Sequence, residues 1–193
     1  MFEFLLPFDL FIARAANEFR SSFDTVLTPV MKAITVSGNM GAIFVLCAVM
    51  MLFFKKTRKL GVAVLISLAF GFLFTNVILK HVIARERPFS NASSEFYSFW
   101  KASGCLSEIG YSFPSGHTTA ATAFGVTLFI HQNKRYSWLF LLIPAVMGFT
   151  RIYFAVHYAS DILGGFIVGS VAATLSHFAV RALSKNGKAT KYL

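Results

Sequence analysis

A chain of 193 residues that is 56% hydrophobic and only 13% charged, with a mean hydropathy of +0.65, is too apolar for an ordinary soluble domain. It fits a single polytopic membrane domain. The net charge of +10 would suit a nucleic-acid partner, but the basic residues stand in short clusters between apolar runs, which excludes that reading in favour of membrane topology.

Residues 1–36 are charged throughout, with Glu3, Asp9, Arg14, Glu18, Arg20, Asp24 and Lys32, so no cleavable signal peptide is expected. Two helical stripes run through them: Phe4, Phe8, Phe11, Ala15 and Phe19, then Phe23, Val26, Leu27, Val30, Met31 and Ile34. This pattern predicts amphipathic helices lying in the bilayer interface, with a sixth crossing as the alternative.

Five spans follow: Ala33–Phe54 with a break at Ser37-Gly38-Asn39, Leu60–Leu79, Ile109–Ile130, Tyr136–Thr150 and Ile162–Val180. The fold class is therefore an all-α membrane helix bundle. Its divisions are an interfacial region (1–36), a membrane domain (37–184) and a basic tail (185–193). Gly164, Gly165 and Gly169 give the last helix a small face for close packing. Cys47, in an apolar run, and Cys105, in a polar loop, imply no disulfide framework.

Lys55, Lys56, Arg58 and Lys59 fill one tight loop, Lys134 and Arg135 another, and Arg181, Lys185, Lys188 and Lys191 follow the last span. By the positive-inside rule these segments face the cytoplasm. The N-terminal region, the Phe89–Gly110 loop and the turn after Thr150 then share the outer face, where three polar clusters converge.

The first cluster contains Lys80 and Arg87, seven apart and so able to project from one helical face, followed by the helix-ending Pro88. Arg85 reads as a snorkelling anchor. The second is Pro114-Ser115-Gly116-His117, a helix start whose free N–H groups attract an anion, with an imidazole beside it. The third contains Arg151, His157 and Asp161. A spacing of four lets Asp161 orient the His157 ring, and the chain must bend between Arg151 and His157. Lys80, Arg87 and Arg151 have no matching acids in this reading, so they require an anion. Phosphate fits best. No cysteine cluster, HExxH or paired carboxylates call for a protein-bound metal, and no cofactor is expected.

Lys80, Arg87-Pro88, Pro114 to His117, Arg151, His157 and Asp161 together resemble the ordered motifs of the type 2 phosphatidic acid phosphatase superfamily over roughly residues 30–180. Thr150 departs from the serine common at that position but keeps a hydroxyl. The resemblance implies a small bacterial-type membrane lipid phosphatase that works without metal through a phosphohistidine. His157 is then the nucleophile, Asp161 its orienting partner, and His117 the acid that protonates the leaving oxygen and later activates water. Lys80, Arg87, Ser115, Gly116 and Arg151 are the implied phosphoryl ligands. The implied partners are the bilayer and a lipid phosphate at the outer face: undecaprenyl diphosphate, phosphatidylglycerophosphate or phosphatidic acid. A short chain with small loops favours the first, and Gly116, where some undecaprenyl diphosphate phosphatases carry Asp, weakens it. A lipid phosphotransferase would use the same residues, and a lipid transporter would give no reason for the His–Asp spacing.

Overall fold

The structure, a computed structural model, describes residues 2–132 and 135–185. Lys134 and the tail from residue 186 onward, both used in the orientation argument, lie outside them. The described residues form helices and no strand. In chain order these are α1 (Leu6–Ser37), α2 (Ala42–Leu52), α3 (Arg58–Phe72), α4 (Lys80–Ile83), α5 (Glu95–Ala102), α6 (Gly116–His131), α7 (Leu142–Tyr153) and α8 (Ala159–Lys185).

Among the described residues, two stretches are long and apolar enough to cross a membrane, Arg58–Ser90 and Ala159–Ser184. A third is formed if α1 and α2, bent by 48° at their junction, are taken as one span. That junction falls where the sequence placed a break: Gly38 ends α1, and Met40 and Gly41 take positive φ before α2 begins. The two N-terminal stripes form one helix with a non-helical Phe23 inside it. Helix α2 turns sharply into α3 because Thr57 and Arg58 donate to the carbonyls of Met51 (2.9 Å) and Leu52 (3.0 Å), satisfying the end of α2.

Helices α3, α6 and α8 make the centre. Thr118 and Thr122 of α6 face Gly165 and Gly169 of α8 in the same order, so these two helices run parallel. Helix α3 and its continuation past Phe72 run against both: Ser67 donates to the Ala123 carbonyl (3.2 Å), Thr75 to Thr119 (3.0 Å), and Ser176 to the Ala63 carbonyl (2.5 Å). These hydroxyls lie fully buried, and each finds a backbone or hydroxyl acceptor, as a polar group deprived of water must. Phe44, Val64, Leu68, Phe124 and Leu128 fill the space between α2, α3 and α6.

Helix α1 lies across one end of this bundle. From Asp9 at the start of α8 it passes Glu95 and Ala102 of α5 through Arg14 and Arg20, then reaches Tyr153 through Thr28 and Arg151 through Thr35. All those partners lie at the same end.

The glycine face of α8 is a packing requirement. A Cβ at Gly169 would stand 2.5 Å from the Thr122 Cβ and 2.7 Å from the Thr119 carbonyl oxygen, both on a rigid helix. Gly169→Ala is expected to cost about 1–3 kcal/mol through overpacking, seen as a lower thermal unfolding midpoint in detergent. Ile167→Ala, on the outward side where Ile167 is 65% exposed, should stay within about 0.5 kcal/mol of the parent.

Candidate active site

Four segments meet under α1. The first is the continuation of α3. From Leu73 to Leu79 it widens into a π-helical turn, a local expansion common at functional sites, which sets Asn76 against Gly116. Helix α4 stops at Ile83, where Ala84 adopts a left-handed conformation (φ 49°). The expectation that Lys80 and Arg87 share a helical face is therefore corrected: Arg87 lies beyond the helix in extended backbone (φ −76°, ψ 155°), the region that the following Pro88 imposes. It reaches the site by folding back. Its guanidinium donates to the carbonyls of Ile109 (2.9 Å), Gly110 (2.9 Å) and Val156 (3.0 Å), and its Nη1 stands 3.4 Å from His157 Nε2.

The second segment is the start of α6. Ser115 is its N-cap, the hydroxyl oxygen accepting from the Thr118 N–H (3.4 Å), so the side chain is spent on the helix end. Gly116 and His117 follow on the first turn, and His117 Nε2 lies 3.0 Å from Asn39 Oδ1 in the α1–α2 junction.

The third is the α7–α8 junction, which supplies the bend required between Arg151 and His157. Helix α7 ends at Tyr153, Ala155 takes φ 48°, and α8 begins at Ala159. Asp161, fully buried, gathers the junction. One carboxylate oxygen accepts from the Tyr158 N–H (2.9 Å) and from the Ser112 hydroxyl, with His157 Nδ1 at 3.3 Å. The other accepts from Arg85 (2.6 Å). Capping α8 and orienting His157 are thus one arrangement.

The fourth is the loop before α6. Glu108 pairs with Arg151 and approaches Arg87 (3.4 Å). The reading of three cations without acids is corrected here, because a loop carboxylate sits between two of them. Burial opposes ionisation of Glu108, but Arg151 and Arg87 outweigh it and hold its carboxyl below the usual range. The His157 imidazole is pushed well below its ordinary value, first by burial and then by Arg87 and Arg151, so it is neutral and carries a free nitrogen lone pair near pH 7.

Lys80, Arg87, Gly116, His117 and His157 line one cavity of about 510 Å³. Glu108 and Asn76 line it as well, and its far wall is apolar, with Val45, Leu65, Leu68 and Phe72. Arg151, Ser115 and Asp161 are fully buried behind it. Arg151 connects to it through Glu108, and also donates to Thr35 of α1.

Residues 58–185, which contain every one of the motifs, match the PAP2 superfamily. This chain belongs to that superfamily. Among its relatives, an undecaprenyl-diphosphatase of Sulfolobus acidocaldarius is 32% identical over 128 residues, 66% of this chain and 58% of that protein. The phosphatidylglycerophosphatase B of Bacillus subtilis is 31% identical over 157 residues, 74% of this chain and 70% of that protein. The first alignment therefore spans little more than half of its relative's length. The crystal structure of a transmembrane PAP2-type phosphatidylglycerolphosphate phosphatase from Bacillus subtilis shares the fold, with a TM-score of 0.59 at 24% identity, covering 96% of this chain and 98% of that one.

The PAP2 match begins at residue 58, so Asp9, Thr35 and Asn39 enter the site from outside it. Sequence reading missed these three, together with Arg85, Ser112 and Glu108. Arg85, read as a snorkelling anchor, is instead bound to Asp9 and Asp161. Glu108 stands in a loop with no periodicity, and Ser112 falls within the expected Ile109–Ile130 span, which the structure shortens to a helix that begins only at Gly116. Asp9 carried one signal: with Ala13, Ala16 and Arg20 it follows three- and four-residue steps on the buried face of α1, away from the exposed phenylalanine stripe.

Glu108 occupies the cation pair as an internal anion, so any external anion must compete with it. Glu108→Gln is expected to lower thermal stability, since Arg151 loses its charge partner. The same variant should bind orthovanadate about tenfold tighter in calorimetry, about 1.4 kcal/mol, because the competing carboxylate is gone. Unchanged or weaker vanadate affinity would show that Glu108 assists the anion site instead.

Proposed function

We propose that this PAP2 protein is an integral membrane phosphatase that hydrolyses a phosphate ester or diphosphate on a lipid through a phosphohistidine. The observation that carries the reading is His157 itself. It is a buried neutral imidazole with Nδ1 on Asp161 and Nε2 beside Arg87, at a cavity also lined by Lys80 and His117.

His157 Nε2 attacks phosphorus in line with the lipid oxygen. As the N–P bond forms and the P–O bond breaks, His117, protonated once the phosphoryl anion lies beside it, donates that proton to the departing oxygen. Asp161 stabilises the positive charge that grows on the His157 ring. Water then attacks phosphorus, His117 takes its proton, and the N–P bond breaks to release inorganic phosphate. Lys80, Arg87 and the N–H groups of Gly116 and His117 bear the phosphoryl charge, a task of positioning and charge stabilisation. Arg151 supports them once Glu108 gives way to the substrate. Ser115 contributes through the cap that holds the α6 start in place. These groups supply the positive charge that metal-dependent phosphatases take from paired ions, so we read the reaction as metal-independent.

The apolar far wall of the cavity suits a substrate whose phosphate is attached to a hydrocarbon chain. The basic turns around Lys55–Lys59 and Arg135 lie at the opposite end from the site, which supports a site opening at the outer membrane face. Among candidate substrates, undecaprenyl diphosphate comes first, as the substrate type named for the Sulfolobus relative. Phosphatidylglycerophosphate comes next, as named for the Bacillus one, and phosphatidic acid follows.

The deciding experiment is phosphate release from purified protein over a panel of lipid phosphates and diphosphates, in EDTA. Turnover is expected to survive the chelator and to vanish in His157→Ala together with any trapped phosphoenzyme. His117→Ala should lose most on a lipid monophosphate and least on a substrate with an acidic leaving group. Arg151→Lys should fall well below the parent, since one ammonium does not replace a two-pronged guanidinium. Activity lost in EDTA and restored by Mg²⁺ would overturn the mechanism, and phosphate transferred to a second lipid without release would make the protein a phosphotransferase.

Orientation has its own test. In a cysteine-free background, Ser94→Cys on intact cells should react with a membrane-impermeant thiol reagent and Thr57→Cys should not. The reverse pattern would place the site on the cytoplasmic side.

A further inference from the structure

Asp9 is fully buried although it belongs to an amphipathic helix outside the PAP2 match. Its carboxylate accepts from the Ser160 N–H (2.7 Å) and hydroxyl (2.8 Å) at the first turn of α8, and from Arg85 Nη2 (2.8 Å). Arg85 Nη1 in turn donates to Asp161 (2.6 Å) and to the Ser160 hydroxyl (2.7 Å). The guanidinium is fixed between the rings of Phe2 (4.5 Å) and Tyr158 (3.8 Å). One cation thus stands between two buried carboxylates, and one of these holds the working histidine.

We propose that Asp9 is a positioning residue for the PAP2 reaction, acting through Arg85 on Asp161 and so on His157. An arginine bound to Asp161 alone would neutralise the charge that His157 needs when its ring becomes a phosphoimidazolium. Asp9 takes half of that guanidinium, which leaves Asp161 with net negative character toward His157. The N-terminal helix is thereby part of the catalytic apparatus: undocking it leaves Arg85 free to collapse onto Asp161. This role rests on the reading of His157 as nucleophile.

The charges facing His157 come from every element around it. Lys80 and Arg87 approach from the α3–α4 arm, Glu108 from the loop, Arg151 from α7, Asp161 from α8, with His117 from α6 across the cavity. Arg85 and Asp9 form the next layer. Changing Asp9 alters one charge in this set and leaves the direct neighbours of the ring in place.

Asp9→Asn is the informative variant, because the amide oxygen still accepts from Ser160 while the charge is removed. The full-length protein in detergent, with its histidines ¹⁵N-labelled, is titrated by NMR without substrate, and turnover of p-nitrophenyl phosphate is followed against pH. The His157 protonation midpoint and the acid limb of kcat/KM are both expected to move to lower pH in Asp9→Asn, with kcat down about tenfold and KM little changed. Arg14→Ala removes the exposed Arg14–Glu95 pair (2.6 Å) that also ties α1 down, yet alters no charge near the site, so it should leave the midpoint where it was. An unmoved midpoint in Asp9→Asn would overturn the proposal. So would an equal shift in Arg14→Ala, which would mean that docking alone matters. The midpoint is read without substrate, so failure of the proposed phosphatase activity and failure of this role give different results.

Discussion

The Asp161 carboxylate is the constraint on which the site depends. It is removed from water, so its charge must be met by protein donors, and they come from three parts of the chain: Arg85, Ser112, and the adjacent His157 and Tyr158 N–H of the α7–α8 junction. The Asp161 backbone carbonyl also accepts from the Ser115 N–H (3.1 Å), which sets the start of α6 against the start of α8. One residue thus sets the starts of two parallel helices together through its backbone carbonyl and holds the imidazole through its carboxylate. An uncompensated carboxylate at this depth would be strongly destabilising, so the geometry is enforced by the cost of leaving the charge unmet.

The same logic runs outward in shells of alternating charge. Asp161 is met by Arg85, Arg85 by Asp9, and on the cavity side Arg87 and Arg151 by Glu108. Low polarity around the bundle sharpens each attraction, and two of these groups, Arg85 and Glu108, are each shared between two opposite charges. Sharing distinguishes the two ends of the array. Toward α1 the partners are buried and rigid, which suits orientation. Toward the cavity the acid is on a loop and partly exposed, which suits exchange with the phosphate proposed to enter there.

The threonine- and glycine-lined contact between α6 and α8 makes this precision affordable. Thr118 and Thr122 against Gly165 and Gly169 let the two backbones approach closely, and they carry Gly116, His117 and Asp161 with them. Long side chains in that seam would separate the helix starts and pull the N–H groups proposed to bind the phosphoryl anion away from the His–Asp pair.

Much of this was legible in the sequence, because helix periodicity and short spacings are local. Apolar runs marked the bundle, the 37–39 break marked the end of α1, and Ser115 marked a helix start. The four-residue spacing of His157 and Asp161 placed them together, and the need for a bend after Arg151 followed from counting residues per turn. Tertiary structure alone decided what lies far apart in the chain. Lys80 and Arg87 converge through a helix end and a fold back, where the sequence suggested a shared face. Arg85 turns inward because Asp9, 76 residues away, waits for it, and Glu108 reaches Arg151, 43 residues further along the chain. Spacing encodes direction within one element. The partner of a buried charge is chosen by which elements pack against it, and no local pattern carries that information.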